Sequence, residues 1–257
     1  MSDEHWRDDG AYAYQHELTL AGVAWEFLRR NADYQADYAA AASRRAPGIA
    51  PVEAAPDPGW GLSCFADPSQ SANQLPIFWR PQVNPRTLVL TAASPIDEGA
   101  LCFDPAAWPG RLEQSIAADG VHLLLRFGAE EHRLWAPEPP RPGQPLVVAQ
   151  PLDADLAIRA DAADRFLRRL RKPAAAPARP QRPTLVRRMI LTLRALDGRN
   201  AGVSQRRIAE VLLRVRCASP REWEDCSGRA LTARLLRAGA ALRGGGYLDL
   251  LRRGGDR

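Results

Sequence analysis

Recognition of a polyanion requires cations held on a rigid support, and this sequence gathers its cations in the last third. From Pro173 to Arg257 there are 18 arginines against 7 acidic residues, a net +11, whereas residues 1–172 carry 17 basic and 23 acidic groups, a net −6. Each arginine placed beside a phosphate releases condensed counterions, so such a region is drawn to nucleic acid. A solvated arginine-rich surface is the plainer alternative. Because Lys172 is the only lysine in an alanine-rich chain, part of the excess reflects codon usage.

Within this region, Gly202 to Leu212 has the pattern of the first half of a helix-turn-helix. Ile208, Ala209 and Leu212 face inward, small Ala209 permits a close helix crossing, and Gln205, Arg206 and Arg207 are candidate DNA contacts. A further helix is expected from near Ser227 to Leu242, docking through Leu231, Leu235, Ala238 and Leu242. Arg229, Thr232 and Arg237 then point outward with Arg234 at the flank, and this face is the candidate major-groove reader. Leu236 also falls outward, which that stripe does not explain. The connection from Leu213 to Cys226 is far longer than the usual three or four residues of the motif. The turn Arg243-Gly244-Gly245-Gly246 suits phosphate contact through exposed amides, and equally a helix end leading into a core-packed tail.

Other chemistries have weaker support. His122 and His132 are ten residues apart across a predicted hairpin that could bring them near one another, but they lack a third ligand, so they read as strand surface, and Glu130-Glu131 as a solvated turn. Cys64, Cys102, Cys217 and Cys226 are spaced 38, 115 and 9 residues apart, without a CxxC pair, and read as reduced structural thiols rather than metal ligands. Neither GxxxxGK[ST] nor GxGxxG follows a strand. No cofactor or catalytic set is expected, and the chain reads as a non-enzyme. Apolar runs are too short to span a bilayer and the acidic start Met1-Ser2-Asp3-Glu4-His5 is unlike a secretory signal, so a cytoplasmic protein is expected.

The elements that must carry these residues form an α+β arrangement: a small helical N-terminal domain, a central β-hairpin region and a C-terminal helical, helix-turn-helix-like bundle. Residues 1–18 read as a flexible leader and 19–92 as a small domain. That domain opens with a helix capped by Thr19 and ending at Asn31, followed by a second from Asp33 to about Ser43. Trp25, Tyr34 and Tyr38 on this helical pair are either core or a partner-binding surface. Ile77–Pro81 and Arg86–Thr91 read as short strands. Residues 93–172 form a β-rich region with a Val121–Phe127/His132–Trp135 hairpin, further strands at Leu146–Ala149 and Leu156–Ile158, and a helix from Asp161 to Arg171. Residues 173–183 are a Pro/Ala/Arg linker, extended and semi-rigid. Residues 184–257 form the basic domain, opening with a helix capped by Thr184 and ended by Asp197-Gly198.

Ala24-Trp25-Glu26-Phe27-Leu28-Arg29-Arg30-Asn31-Ala32-Asp33-Tyr34-Gln35-Ala36-Asp37-Tyr38, with Trp60-Gly61-Leu62 and Phe65-Ala66-Asp67-Pro68, resembles a small transcriptional-regulator-like N-terminal domain. From about Leu101 onward, most clearly in Leu193-Arg194-Ala195-Leu196-Asp197-Gly198, Ile208-Ala209-Glu210 and Gly245-Gly246-Tyr247, the chain resembles the C-terminal partner domain of the same regulators. Together the two cover most of the chain. These are two-domain regulators of the activator/antiactivator family that controls excision and transfer of integrative and conjugative elements in proteobacteria. The family's usual proline after Asn31 is alanine here. The resemblance implies a DNA-binding activator of excision or conjugation genes, contact with RNA polymerase, and a surface for a protein antiactivator; no list of DNA-contacting residues carries over. The competing reading from a different class is an antiactivator or scaffold acting by protein contact alone. Oligomeric state is not legible.

Overall fold

The computed structural model describes residues 5–44, 56–94, 96–97, 99–128, 130–173 and 183–253. The expected linker 173–183 falls almost wholly outside them. The chain is mixed α+β with helices towards both ends: α1 (Leu20–Leu28), α2 (Ala32–Ser43), strands β1 (Thr87–Ala92), β2 (Arg111–Ala117), β3 (Gly120–Phe127), β4 (Glu130–Ala136) and β5 (Leu146–Ala149), then α3 (Leu156–Arg171), α4 (Pro183–Asn200), α5 (Gln205–Leu212), α6 (Pro220–Glu224), α7 (Ser227–Ala241) and α8 (Leu248–Arg252). None of the described helices is long and apolar enough to cross a membrane.

The first two helices begin where their caps dictate. The Thr19 side chain accepts from Gly22 N, and Asn31 Oδ1 accepts from Asp33 N and Tyr34 N, so Asn31 opens α2 rather than merely ending α1. Residues 5–17, expected to be a flexible leader, instead form 3-10 turns at His5–Arg7 and Gly10–Glu17, with Trp6, Tyr12 and Gln15 buried. Their aromatics lack α-helical spacing, so the periodicity that reveals amphipathic helices is silent here.

The sheet has the order β2-β3-β4-β1-β5, with β1 parallel to β4 and the other pairings antiparallel. Thus β1, expected to close the N-terminal domain, belongs to the central sheet. Ile77–Pro81 contributes only an isolated bridge, Leu62 to Trp79. Leu156–Ile158 is the first turn of α3 rather than a strand, and β2 went unpredicted because its exposed edge carries mixed polar residues. One face of the sheet, with Leu123, Leu125 and Leu134, packs on Ala162 and Phe166 of α3.

The opposite face meets the N-terminal segment through polar groups. Arg126 Nη2 donates to Ala72 O and Leu75 O, Arg133 Nη1 donates to Ile77 O, and Thr19 Oγ1 donates to Glu131 Oε2 at 2.7 Å. Burial on both faces explains why β3 reads as an unbroken apolar run. It also corrects two expectations. His122 and His132 are buried, not surface, and they lie on opposite faces, since His122 pairs with Trp135 and His132 with Leu125. Glu130 and Glu131 are not a solvated turn: Glu130 pairs with Arg169 and His132, and Glu131 with Arg126 and Arg133.

The largest core joins the two ends of the chain. Trp25, Phe27 and Tyr34 share it with Val186, Ile190 and Leu193 of α4 and with Tyr247, Leu250 and Leu251 of the C-terminal tail. At its margin Arg30 makes a two-pronged ion pair with Asp197, Nε to Oδ1 at 2.7 Å and Nη2 to Oδ2 at 2.9 Å. Tyr12 OH donates to the same carboxylate at 2.6 Å, and Arg30 Nη1 reaches buried Glu26 at 2.8 Å. Burial pushes the Glu26 carboxyl upward, but Arg30, Arg29 and the Ala72 amide outweigh it and hold it below the usual range. Glu131 is held low in the same way by Arg133, Arg126 and Thr19.

Two outcomes follow from this buried network. Asp197→Ala leaves the Arg30 guanidinium with only Glu26, which Arg29 shares, and the Tyr12 hydroxyl without its acceptor, and lowers unfolding free energy by about 3–5 kcal/mol in urea titration, whereas Arg30→Met/Asp197→Leu together cost less than the two single changes summed. Carboxyls depressed on folding stabilise fully above their unfolded value of 4.5 and lose that contribution as pH falls through the lower folded values. The urea midpoint therefore drops below pH 4.5, and Glu26→Gln lowers the neutral-pH midpoint while flattening this acid slope; parallel slopes would contradict the assignment.

Candidate nucleic-acid interface

The basic C-terminal helices assemble around small residues. α4 runs through Gly198 to Asn200 instead of stopping at Asp197-Gly198, and Gly198 is where the Trp6 ring lands: a Cβ there would sit 3.0 Å from the indole and 3.3 Å from Ile208. Trp6, Ala195, Ile208 and Leu235 form a small core of their own. Arg194 clamps the leader onto it, donating to the carbonyls of Trp6 and Arg7 and pairing with Asp9. Ser204 caps α5 by accepting from Arg207 N, and Ile208 and Ala209 are buried as the pattern required.

α7 is turned relative to expectation. Its buried positions are Gly228, Thr232, Leu235 and Gly239, a face rotated by roughly 60° from the predicted Leu231, Leu235, Ala238, Leu242 stripe at 100° per residue. Gly239 sits where a Cβ would lie 3.3 Å from Leu196 and 3.4 Å from Thr192, so α7 crosses α4 over small side chains rather than large ones. The rotation leaves Leu231 39% exposed and packs Leu236 against the Trp6 core, which accounts for the leucine that fitted no stripe.

The predicted contacts therefore separate into two groups. Thr232 is fully buried, its hydroxyl donating to Gly228 O at 2.8 Å, and it is not on an outer face. Gln205 donates to Arg229 O at 2.7 Å; Arg206 donates to Cys217 O and pairs with Glu210; Arg243 Nη1 donates to Asn200 Oδ1 at 3.1 Å, while its carbonyl accepts from Asn31 Nδ2. These three hold helices and the long connection in place. Arg207, Arg229, Arg234 and Arg237 are exposed; Arg207 pairs with Glu210 and Arg229 donates to Glu224 O.

The connection from Leu213 to Cys226 adds cations that helix-based reading missed. Arg214, Arg216 and Arg221 are exposed, and among the described residues none of them forms an ion pair, as is also true of Arg234 and Arg237. Arg214 has φ +54, left-handed, just beyond the end of α5, a position where glycine is favoured. The signal in the sequence was the density of arginine in a segment without helical spacing. Cys217 and Cys226, which bracket α6, and Cys64 and Cys102 are free thiols.

The glycine turn leads into a core-packed tail. Leu242–Gly246 forms a π-type turn in which Gly245 takes φ +126, accessible only to glycine, with open space around it, and Tyr247 then enters the main core and donates to Trp60 O at 3.0 Å. The expected partner-binding aromatics are also internal. Trp25 and Tyr34 are fully buried, edge to face at 5.6 Å, and half-buried Tyr38 packs on Phe65.

Comparison with known families matches both ends of this architecture. Residues 5–65 match the model of a proteobacterial transcriptional regulator-like domain, and residues 149–252 match a model described as a T6SS transcription factor DNA-binding domain. No curated protein matches the chain. The chain is thus a transcription regulator that pairs a regulator-like domain with a DNA-binding domain, and DNA is its partner. The DNA-binding match begins at Ala149, the last residue of β5, and takes in α3 as well as the basic helices, and the regulator-like match begins with the ordered 3-10 leader.

Trp6→Ala empties the site on Gly198 and costs about 3–5 kcal/mol. Hydrogen exchange of the α5 and α7 amides accelerates in this variant if the leader supports the DNA-binding helices; unchanged protection there would show that it does not.

Proposed function

We propose that this regulator activates excision or conjugative-transfer genes of an integrative and conjugative element by binding their promoter through the outer side of α5 to α7. The observation that supports this reading is the row of exposed arginines without ion-pair partners among the described residues, on α7 and the connection before it. Arg234 and Arg237 are suited to base edges from a helix in the major groove, with Arg229 and Arg207 at its margins. Arg214, Arg216 and Arg221 are suited to the flanking phosphates. The resemblance to the two-domain regulators of mobile elements supports the target, and contact with RNA polymerase follows from the activating role. A second target reading draws on the family description, which names a T6SS transcription factor: secretion genes in place of transfer genes. The antiactivator reading, acting by protein contact, loses the exposed aromatic surface at Trp25 and Tyr34 on which it relied.

Fluorescence anisotropy on promoter fragments, with the full chain at rising salt, tests the interface. Arg237→Ala lowers affinity for the cognate site by about 1–3 kcal/mol and relaxes sequence preference, while Arg216→Ala and Arg221→Ala weaken all sequences alike and reduce the salt slope by about one each. Arg214→Gly separates stability from binding: relief of the left-handed backbone raises unfolding free energy by about 1 kcal/mol as DNA affinity falls. Wild-type affinity in all four variants would end this assignment. Mapping chromosomal binding sites then decides between transfer and secretion promoters.

A further inference from the structure

Between the β5 edge of the sheet and α3 lies a cavity of about 560 Å³ that opens to solvent. Leu90 and Val148 form its floor, Ala163 and Phe166 of α3 one side, and Leu101 and Trp108, from the segment joining β1 to β2, the other. Trp108 stands edge-on to both Phe103 and Phe166, at 5.4 and 5.5 Å. The segment is tied down by backbone bonds, Phe103 N to Gln144 O at 2.8 Å and Leu146 N to Leu101 O at 3.0 Å, so the walls are built without an occupant.

The volume lies within the roughly 300–1,000 Å³ of small-molecule sites and far above an ordinary packing void. Ala107 and Ala163 create the room; a leucine at either lining position would take up part of it. The charged lining residues are both acidic. Asp164 is neutralised by Arg168 at 2.7 Å, while among the described residues Asp104 forms no ion pair. Carboxylates and sulfonates are therefore repelled at the rim, and an aromatic wall favours edge-to-face contact with another ring.

We propose that this cavity is a binding site for a compact, uncharged, ring-bearing apolar molecule. Phe166 also packs on His132, at 5.5 Å, beside the buried Arg169–Glu130 ion pair, so an occupant presses on the helix that precedes the α4 bundle in the chain. The site lies apart from the arginine face and stands whether or not that face reads DNA.

Titration of the full chain with the neutral probe N-phenylnaphthylamine, followed by its fluorescence, tests the site. The expected result is saturable binding of one equivalent, at least ten-fold weaker in the cavity-filling variant Ala163→Trp and unchanged in Leu152→Ser, which removes an exposed leucine outside the lining. The anionic probe anilinonaphthalenesulfonate binds at least ten-fold more weakly than the neutral one. If circular dichroism shows that Ala163→Trp does not fold, Val148→Phe fills the cavity from the strand side. Binding that does not saturate, or that is equal in the filled variant, overturns the proposal. So does binding seen in neither the monomer nor any associated form by sedimentation, or occlusion of the probe by self-association, which would assign these walls to contact between copies.

Discussion

A carboxylate taken out of water must find its partners inside the protein, and Asp197 finds them on two other pieces of chain. It sits on α4, receives two bonds from Arg30 at the end of α1, and a third from Tyr12 in the leader. Desolvation of such a group costs several kcal/mol unless the geometry is complete. The consequence is structural conditionality: the helix that opens the basic bundle is properly solvated only when the N-terminal segment is in place. The regulator-like segment therefore completes the core of the basic helices, and the shared cluster of Trp25, Ile190 and Tyr247 gives the same coupling in apolar form.

The sheet is fastened to the same segment by a second polar contact. Thr19 Oγ1 accepts from Gly22 N to cap α1 and donates its proton to Glu131, so one hydroxyl both starts a helix and anchors β4. Glu131 is in turn held by Arg126 and Arg133, which also donate to backbone carbonyls at Ala72, Leu75 and Ile77. Those carbonyls belong to a segment with little regular structure, whose backbone has few partners of its own. Arginines from the sheet supply donors there, which is why an irregular segment stays packed.

What the sequence disclosed follows from which forces leave a periodic trace. Caps and amphipathic stripes do, so Thr19 and the β3–β4 hairpin were legible, as was the α+β class. Close approach does not: it is written in Gly198 under the Trp6 ring, Gly228 against Val215 of the connection and Gly239 at the crossing with α4, residues that a hydrophobic stripe ignores, so spacing alone turns α7 and places Thr232 outside. Burial of charge is equally silent, because Glu130, Glu131 and Arg169 look like surface residues until their partners are known. The leader was missed for a third reason, since 3-10 turns leave no 3.6-residue period. Of the candidate site, the exposure of Arg229, Arg234 and Arg237 was legible from spacing, whereas the internal use of Gln205, Arg206 and Arg243 was not.

That last division bears on what a basic region means. The excess of arginine over acid in the final third overstates the charge available to a polyanion, because Arg194 is spent on the leader, Arg206 on the connection and Arg252 on Asp155 at 2.5 Å. Such arginines influence binding only by fixing where the outward ones stand, so their loss resembles a change of shape more than a loss of charge. An outward arginine instead changes the number of ions displaced on binding, and with it the salt slope. Salt dependence thus distinguishes the two populations where affinity alone cannot, and it does so without assuming which helix enters the groove.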